Sequence, residues 1–86
     1  MDNQIKDLIE TCQGRQLSDR EREMFEDVSF GVLMNKMINY FPGESPIPRS
    51  INPETGKVVF SDSYGTQTIP LINLGYELKG QKYSHS

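Results

Sequence analysis

The 86-residue chain has no alanine and no tryptophan, a single cysteine and a single histidine, and nine Lys and Arg against twelve Asp and Glu. Each shortage excludes something. A lone Cys12 cannot close an intramolecular disulfide, so a disulfide-stapled scaffold is ruled out and a reducing cytoplasm is the expected setting. One cysteine and one histidine do not supply the ligand-spacing motifs of a zinc site, and no metal or other cofactor is expected. The cations Lys6, Arg15, Arg20, Arg22, Lys36, Arg49, Lys57, Lys79 and Lys82 are scattered, and the net charge is −3. That field draws neither nucleic acid nor an anionic membrane surface. No apolar run approaches the ~18 residues of a membrane span. The opening "MDNQIKDLIE" lacks the basic and apolar regions of a signal peptide.

Apolar side chains are also scarce. Leu, Ile, Val and Phe together make 21 of the 86 residues, just above the ~20% below which disorder is expected. The expectation is one small domain, residues 1–86, with a thin core that a partner subunit can complete.

What is present reads as α+β, with two N-terminal helices, one short and one long, ahead of a small antiparallel hairpin or three-stranded sheet. Asp2 can cap a helix over about 2–13, with Ile5, Leu8, Ile9 and Cys12 on one apolar stripe and Gly14 as its stop. On that stripe Cys12 is expected to be a buried structural thiol. Ser18 to Glu21 is a capping box, S-x-x-E, opening a second helix that runs to about residue 41, before Pro42-Gly43. Within this span the apolar pattern changes sides. Met24, Phe25, Val28 and Val32 centre on one face, while Phe30, Leu33, Met34, Met37, Ile38 and Phe41 fall almost opposite. Either the helix breaks near Ser29-Phe30-Gly31, or it is continuous and buries both faces; the continuous helix is the preferred expectation.

Residues 42–56 hold four of the five prolines and read as an irregular loop, closing with turn chemistry at Asn52, Pro53 and Gly56. Strands are expected over about 57–62, 66–70 and 72–79. The last rests on the alternation of Ile72, Leu74, Tyr76 and Leu78 with polar neighbours, and residues 80–86 form a polar tail. "NPETG" resembles a sortase sorting signal, but no apolar tail with basic residues follows it, so a turn is the better account.

Nothing in the pattern builds catalytic chemistry. A nucleophile pair would have to join Cys12 to His85, near the C-terminal end, with no group to orient the imidazole. The carboxylates Asp19, Glu21, Glu23, Glu26 and Asp27 spread around a helix with Arg20 and Arg22, Glu26 following Arg22 at i+4 as a surface pair. No phosphate-binding glycine motif occurs. The chain is expected not to be an enzyme.

One stretch suggests another role. "LSDREREMFEDVSFG" resembles the opening of the helix-turn-helix of LuxR-type response regulators through Leu17, Ser18, Arg20, Glu21, Arg22 and Glu23. Gly31, Asn35, Lys36 and Ile38 match its continuation only with an insertion. The resemblance covers about 20 residues and implies a DNA-binding regulator. In that family a basic recognition helix follows, whereas here the proline-rich segment does. The reading preferred from the residues is a small acidic module that binds another protein and self-associates. Phe30, Met34, Met37 and Phe41 would be the interface, and Asp19, Glu23, Glu26 and Asp27 an acidic patch for a basic target. Roles of this build include an accessory subunit, an inhibitor or an immunity-type protein, of phage or plasmid kind.

Overall fold

Asp2 is extended, and its carboxylate accepts the N–H groups of Gln4 and Ile5 at 2.8 and 3.2 Å, starting helix α1 (Asn3–Gln13). Gly14, with φ of 69°, ends it in the left-handed conformation that suits a residue without Cβ. The computed structural model describes residues 1–78, and within them the order is three helices followed by a three-stranded antiparallel sheet.

The second helical segment is broken. Helix α2 (Asp19–Met24) is followed by a turn at Phe25 to Asp27, and helix α3 (Phe30–Tyr40) starts anew behind Ser29. Ser29 is extended and its hydroxyl accepts the Val32 N–H at 3.3 Å. The Phe30 N–H donates to the second carboxylate oxygen of Asp2 at 3.1 Å, so one side chain caps the starts of α1 and α3. The continuous helix is therefore corrected, for a reason of packing. Met24, Phe25 and Val28 are buried, and so are Leu33 and Met37. Sets that lie on opposite sides of one straight helix reach the same core only if the helix turns between them. Gly31 is not the joint; α3 runs through it. Because α2 stops at Met24, the helical Arg22–Glu26 spacing is lost as well.

The sheet holds β1 (Ile47–Asn52), β2 (Lys57–Asp62) and β3 (Gly65–Pro70) in that spatial order. Two of these match the sequence expectation and one does not. The first strand lies within the proline-rich segment expected to be irregular. Proline is admitted there because β1 is an edge strand, and a register shift between Pro48 and Ser50 marks a bulge at Arg49. The reversal at 52–56 is as expected: the Asn52 side chain accepts Glu54 and Thr55 N–H groups, and Gly56 takes φ of 69°. The expected strand over 72–79 is corrected. Leu71–Leu74 is a 3-10 helix, Gly75 is left-handed, and residues 76–78 are irregular, Lys79 lying outside the described residues. Leu71, Leu74 and Leu78 are the buried residues there, at a spacing of three and four rather than two. The tail 80–86 also lies outside the described residues.

One face of the sheet meets the helices. Ile51, Val58, Phe60 and Ile69 are buried with Ile5, Ile9, Leu17, Met24, Phe25, Val28, Leu33, Met37, Leu71, Leu74 and Leu78. The alternate positions Ser50, Val59, Ser61, Thr66 and Thr68 are half-buried or exposed, the usual division of an antiparallel sheet covered on one side. Helix α1 packs along β1.

The break assigns different roles to two neighbouring residues. Ser29→Ala removes the cap of α3 and should destabilise the chain by about 1 kcal/mol in urea unfolding. Gly31 is helical with open space where a Cβ would stand. Gly31→Ala should therefore stabilise the chain by about 0.5–1 kcal/mol in the same measurement.

Candidate functional site

The Ser18–Glu21 capping box is present in both directions: the Glu21 N–H donates to the Ser18 hydroxyl at 3.2 Å, and the Ser18 N–H to Glu21 Oε1 at 2.9 Å. Bending back over the helix start brings Glu21 to Arg15, whose Nη1 and Nη2 donate to Oε1 and Oε2 at 2.9 and 3.1 Å. Gln13 Nε2 adds a long contact of 3.4 Å. Glu21 is 6% exposed, the one buried charged residue among those described. Burial is the largest influence on its carboxyl and would raise the pKa, but the hydrogen bonds from Arg15 and Ser18 together outweigh it and hold the pKa below the ordinary value.

This clamp forms one wall of a half-open depression of about 370 Å³ lined by Arg15, Ser18, Arg20, Glu21, Met24, Pro53 and Glu54, where the start of α2 faces the β1–β2 turn. Sequence reasoning missed it. The signal was the cation three residues before a capping-box serine, within reach of a glutamate that folds back. Chemically the depression offers little: a carboxylate with every oxygen occupied and its pKa lowered is a poor proton donor or base near neutrality.

A second carboxyl pair lies elsewhere. Glu44, in the turn after α3, stands near Asp62 at the end of β2; the hydrogen bond its protonated carboxyl can give Asp62, then burial, then the charge of Asp62, raises the Glu44 pKa. Asp62 also accepts the Tyr64 N–H and the Gln67 side-chain amide, both at 2.8 Å, fixing the β2–β3 turn. Among the described residues, no group of three His, Cys, Asp or Glu side chains gathers as metal ligands would. Cys12 is exposed, not buried as its place on the α1 stripe suggests, because the helix is covered around Ile5 and Ile9 and opens towards its end. His85 lies outside the described residues.

The expected interface residues divide. Met37 is fully buried and belongs to the core. Phe30 and Phe41 are partly buried against it, the Phe41 ring standing 5.0 Å from Phe60 and 4.9 Å from Tyr40. Met34 is half-buried, and its neighbour one turn on, Ile38, is 47% exposed. At 3.6 residues per turn, Phe30, Met34, Ile38 and Phe41 share an arc of about 80° on the flank of α3. Asp19, Glu23, Glu26 and Asp27 are all exposed, the first two one turn apart on α2 and the others in the turn leading to α3.

Comparison with family models, curated proteins and solved structures finds no match. No helix among the described residues is long and apolar enough to cross a membrane.

The two carboxyl sites should respond to pH with opposite sign. Folding lowers the Glu21 pKa, so its stabilisation is complete above the ordinary carboxylate pKa and is lost as pH falls through the lowered value. Glu21→Gln should cost about 2 kcal/mol at neutral pH, the deficit shrinking on acidification. Folding raises the Glu44 pKa, so that contact stabilises at low pH and the benefit is lost as pH rises through the raised value. Glu44→Gln should therefore stabilise the chain at neutral pH and lose its advantage in acid. Thermal melts of both variants across the acid range measure the two trends.

Proposed function

We propose that this chain is a small, non-enzymatic protein-binding module that docks through the flank of α3. The carrying observation is the strip of Phe30, Met34, Ile38 and Phe41, which the protein's own core leaves partly uncovered. Side chains at i, i+4, i+8 and i+11 are what an apolar groove on a partner reads, and methionine adapts to irregular contacts. The strip differs from the sequence expectation by exchanging Met37, which is core, for Ile38.

The acidic segment Asp19, Glu23, Glu26 and Asp27 is the electrostatic part of this reading. Four exposed carboxylates close in sequence to the start of α3 favour a partner whose groove is flanked by basic residues, raising the association rate more than the final affinity. Such a module suits an accessory subunit, an inhibitor or an immunity-type protein, working in the cytoplasm. The DNA-binding alternative has less support. After α3 the chain passes into β1 rather than into a further helix, and Lys36 is the one cation on α3.

Affinity capture from the source cell, followed by titration calorimetry with the captured partner, tests the proposal. Ile38→Asp should weaken binding by about 30-fold, the scale of a hot-spot loss, with an unchanged circular dichroism spectrum. Added salt should slow association. A partner held equally well by Ile38→Asp and by Met34→Asp would remove the reading.

A further inference from the structure

The two edges of the sheet are built differently. The β1 edge is guarded in two ways: Pro48 in the strand and Pro46 just before it withhold donors, and the bulge at Arg49 interrupts the register. At the other edge β3 keeps an unbroken register with β2 from Gly65 to Pro70, with one neighbour among the described residues. Gly65, Thr66, Gln67 and Thr68 are exposed, and only Pro70, at the far end, lacks an N–H. Natural edges are blunted with lysine, proline, bulges or a covering element, and among the described residues none of these stands along β3 before its last residue.

The surroundings of β3 are equally unusual. From Ser63 to Tyr76 there is no charged residue, the longest such run in a chain where 24% of residues are charged. Tyr64, just before the strand, is 79% exposed, the most open large hydrophobic residue among those described, and Ile72, just after it, is 47% exposed.

We propose that β3 is a strand-pairing edge whose partner is β3 of a second copy of this chain, joined antiparallel across a twofold axis near Gln67 and Thr68. The result is one six-stranded sheet, ordered β1-β2-β3 and then β3-β2-β1 of the second copy. Three observations select a second copy over an unrelated strand. An antiparallel edge is its own complement under a twofold axis, so both copies satisfy their backbone groups with the same residues. The charge-free run lets two chains of net charge −3 meet without like charges facing each other. The axis also carries Tyr64 of each copy to the Pro70–Ile72 end of the other, covering the exposed apolar residue at each end of the strand. This inference is independent of the docking strip on α3.

Sedimentation velocity from about 1 to about 100 μM tests it, over the range in which mass action moves a modest dimer. The wild type should shift from monomer to dimer. Thr66→Lys with Thr68→Lys, at two exposed positions, should raise the concentration needed by about tenfold or more while keeping the wild-type circular dichroism spectrum. Ile38→Asp should dimerise like the wild type, which separates this proposal from the α3 reading. In a Cys12→Ser background, Gln67→Cys or Thr68→Cys should give a disulfide-linked dimer on mild oxidation, since residues at the axis face their own copies within bonding range. Four outcomes would overturn the proposal: a wild type monomeric throughout, a dimer indifferent to the two lysines, no cross-link from either cysteine, or a monomer that captures a foreign strand instead.

Discussion

A chain with this few apolar residues can build one core, and every apolar stripe has to reach it. That constraint explains the break between α2 and α3 better than any local helix-breaking residue. Val28 and Met37 are both buried, although a straight helix would point them in opposite directions. The chain turns at Phe25 to Asp27, Val28 N–H donating to the Phe25 carbonyl at 3.1 Å, and Ser29 starts a new helix at a new angle. The turn segment still contributes two core residues, Phe25 and Val28, so breaking the helix wastes little of a scarce resource.

A redirected helix leaves new orphan N–H groups at its start, which must find partners. Ser29 takes one and Asp2 takes another, twenty-eight residues away in sequence. Asp2 thereby ties the entry of α1 to the entry of α3. Its hydrogen bonds with Phe30 and Ile5 hold its pKa below the ordinary value, so protonating it weakens both helix starts together. The Arg15–Glu21 clamp does similar work between the α1–α2 connection and the start of α2. Arg15 is half exposed and Glu21 is not, so the pair avoids the full desolvation of two charges.

Signals carried by neighbouring residues were legible in the sequence. Both helix caps, the Asn52 to Gly56 reversal, β2, β3 and the α+β order follow from residues within a few positions of one another. What depended on distant partners was not legible. Prolines at 46 and 48 argue against a strand until β1 is known to lie at an edge. Ile72, Leu74, Tyr76 and Leu78 alternate as a strand would, while Leu71, Leu74 and Leu78 equally fit a tighter helical spacing; packing beneath α3 and after Pro70 selects the second. The stripe of α1 marked Cys12 for burial, but the sequence does not say how far along a helix its cover extends. At the candidate sites, the apolar flank of α3 was visible as a pattern, yet only the direction of the broken helix separates Met37, in the core, from Ile38, outside it. The Arg15–Glu21 contact crosses a loop, where no periodicity reports it.

The same economy bears on how the surface is used. A domain with a thin core has few ways to gain stability except by placing unsatisfied groups against a partner. The described residues offer two features of different kind: an apolar strip on α3, complemented by side chains, and at β3 a backbone edge with no strand partner among them, complemented by hydrogen bonds. Side-chain strips discriminate among partners by shape and by the charges around them, and four carboxylates lie close in sequence to the start of α3. A backbone edge discriminates poorly, because every chain has the same amides, so its selectivity must come from what surrounds it. The charge-free run from Ser63 to Tyr76 does not select for charge of either sign, and a twofold axis makes like meet like at each position. On these physical grounds the α3 strip is suited to a foreign partner and the β3 edge to a copy of the chain itself.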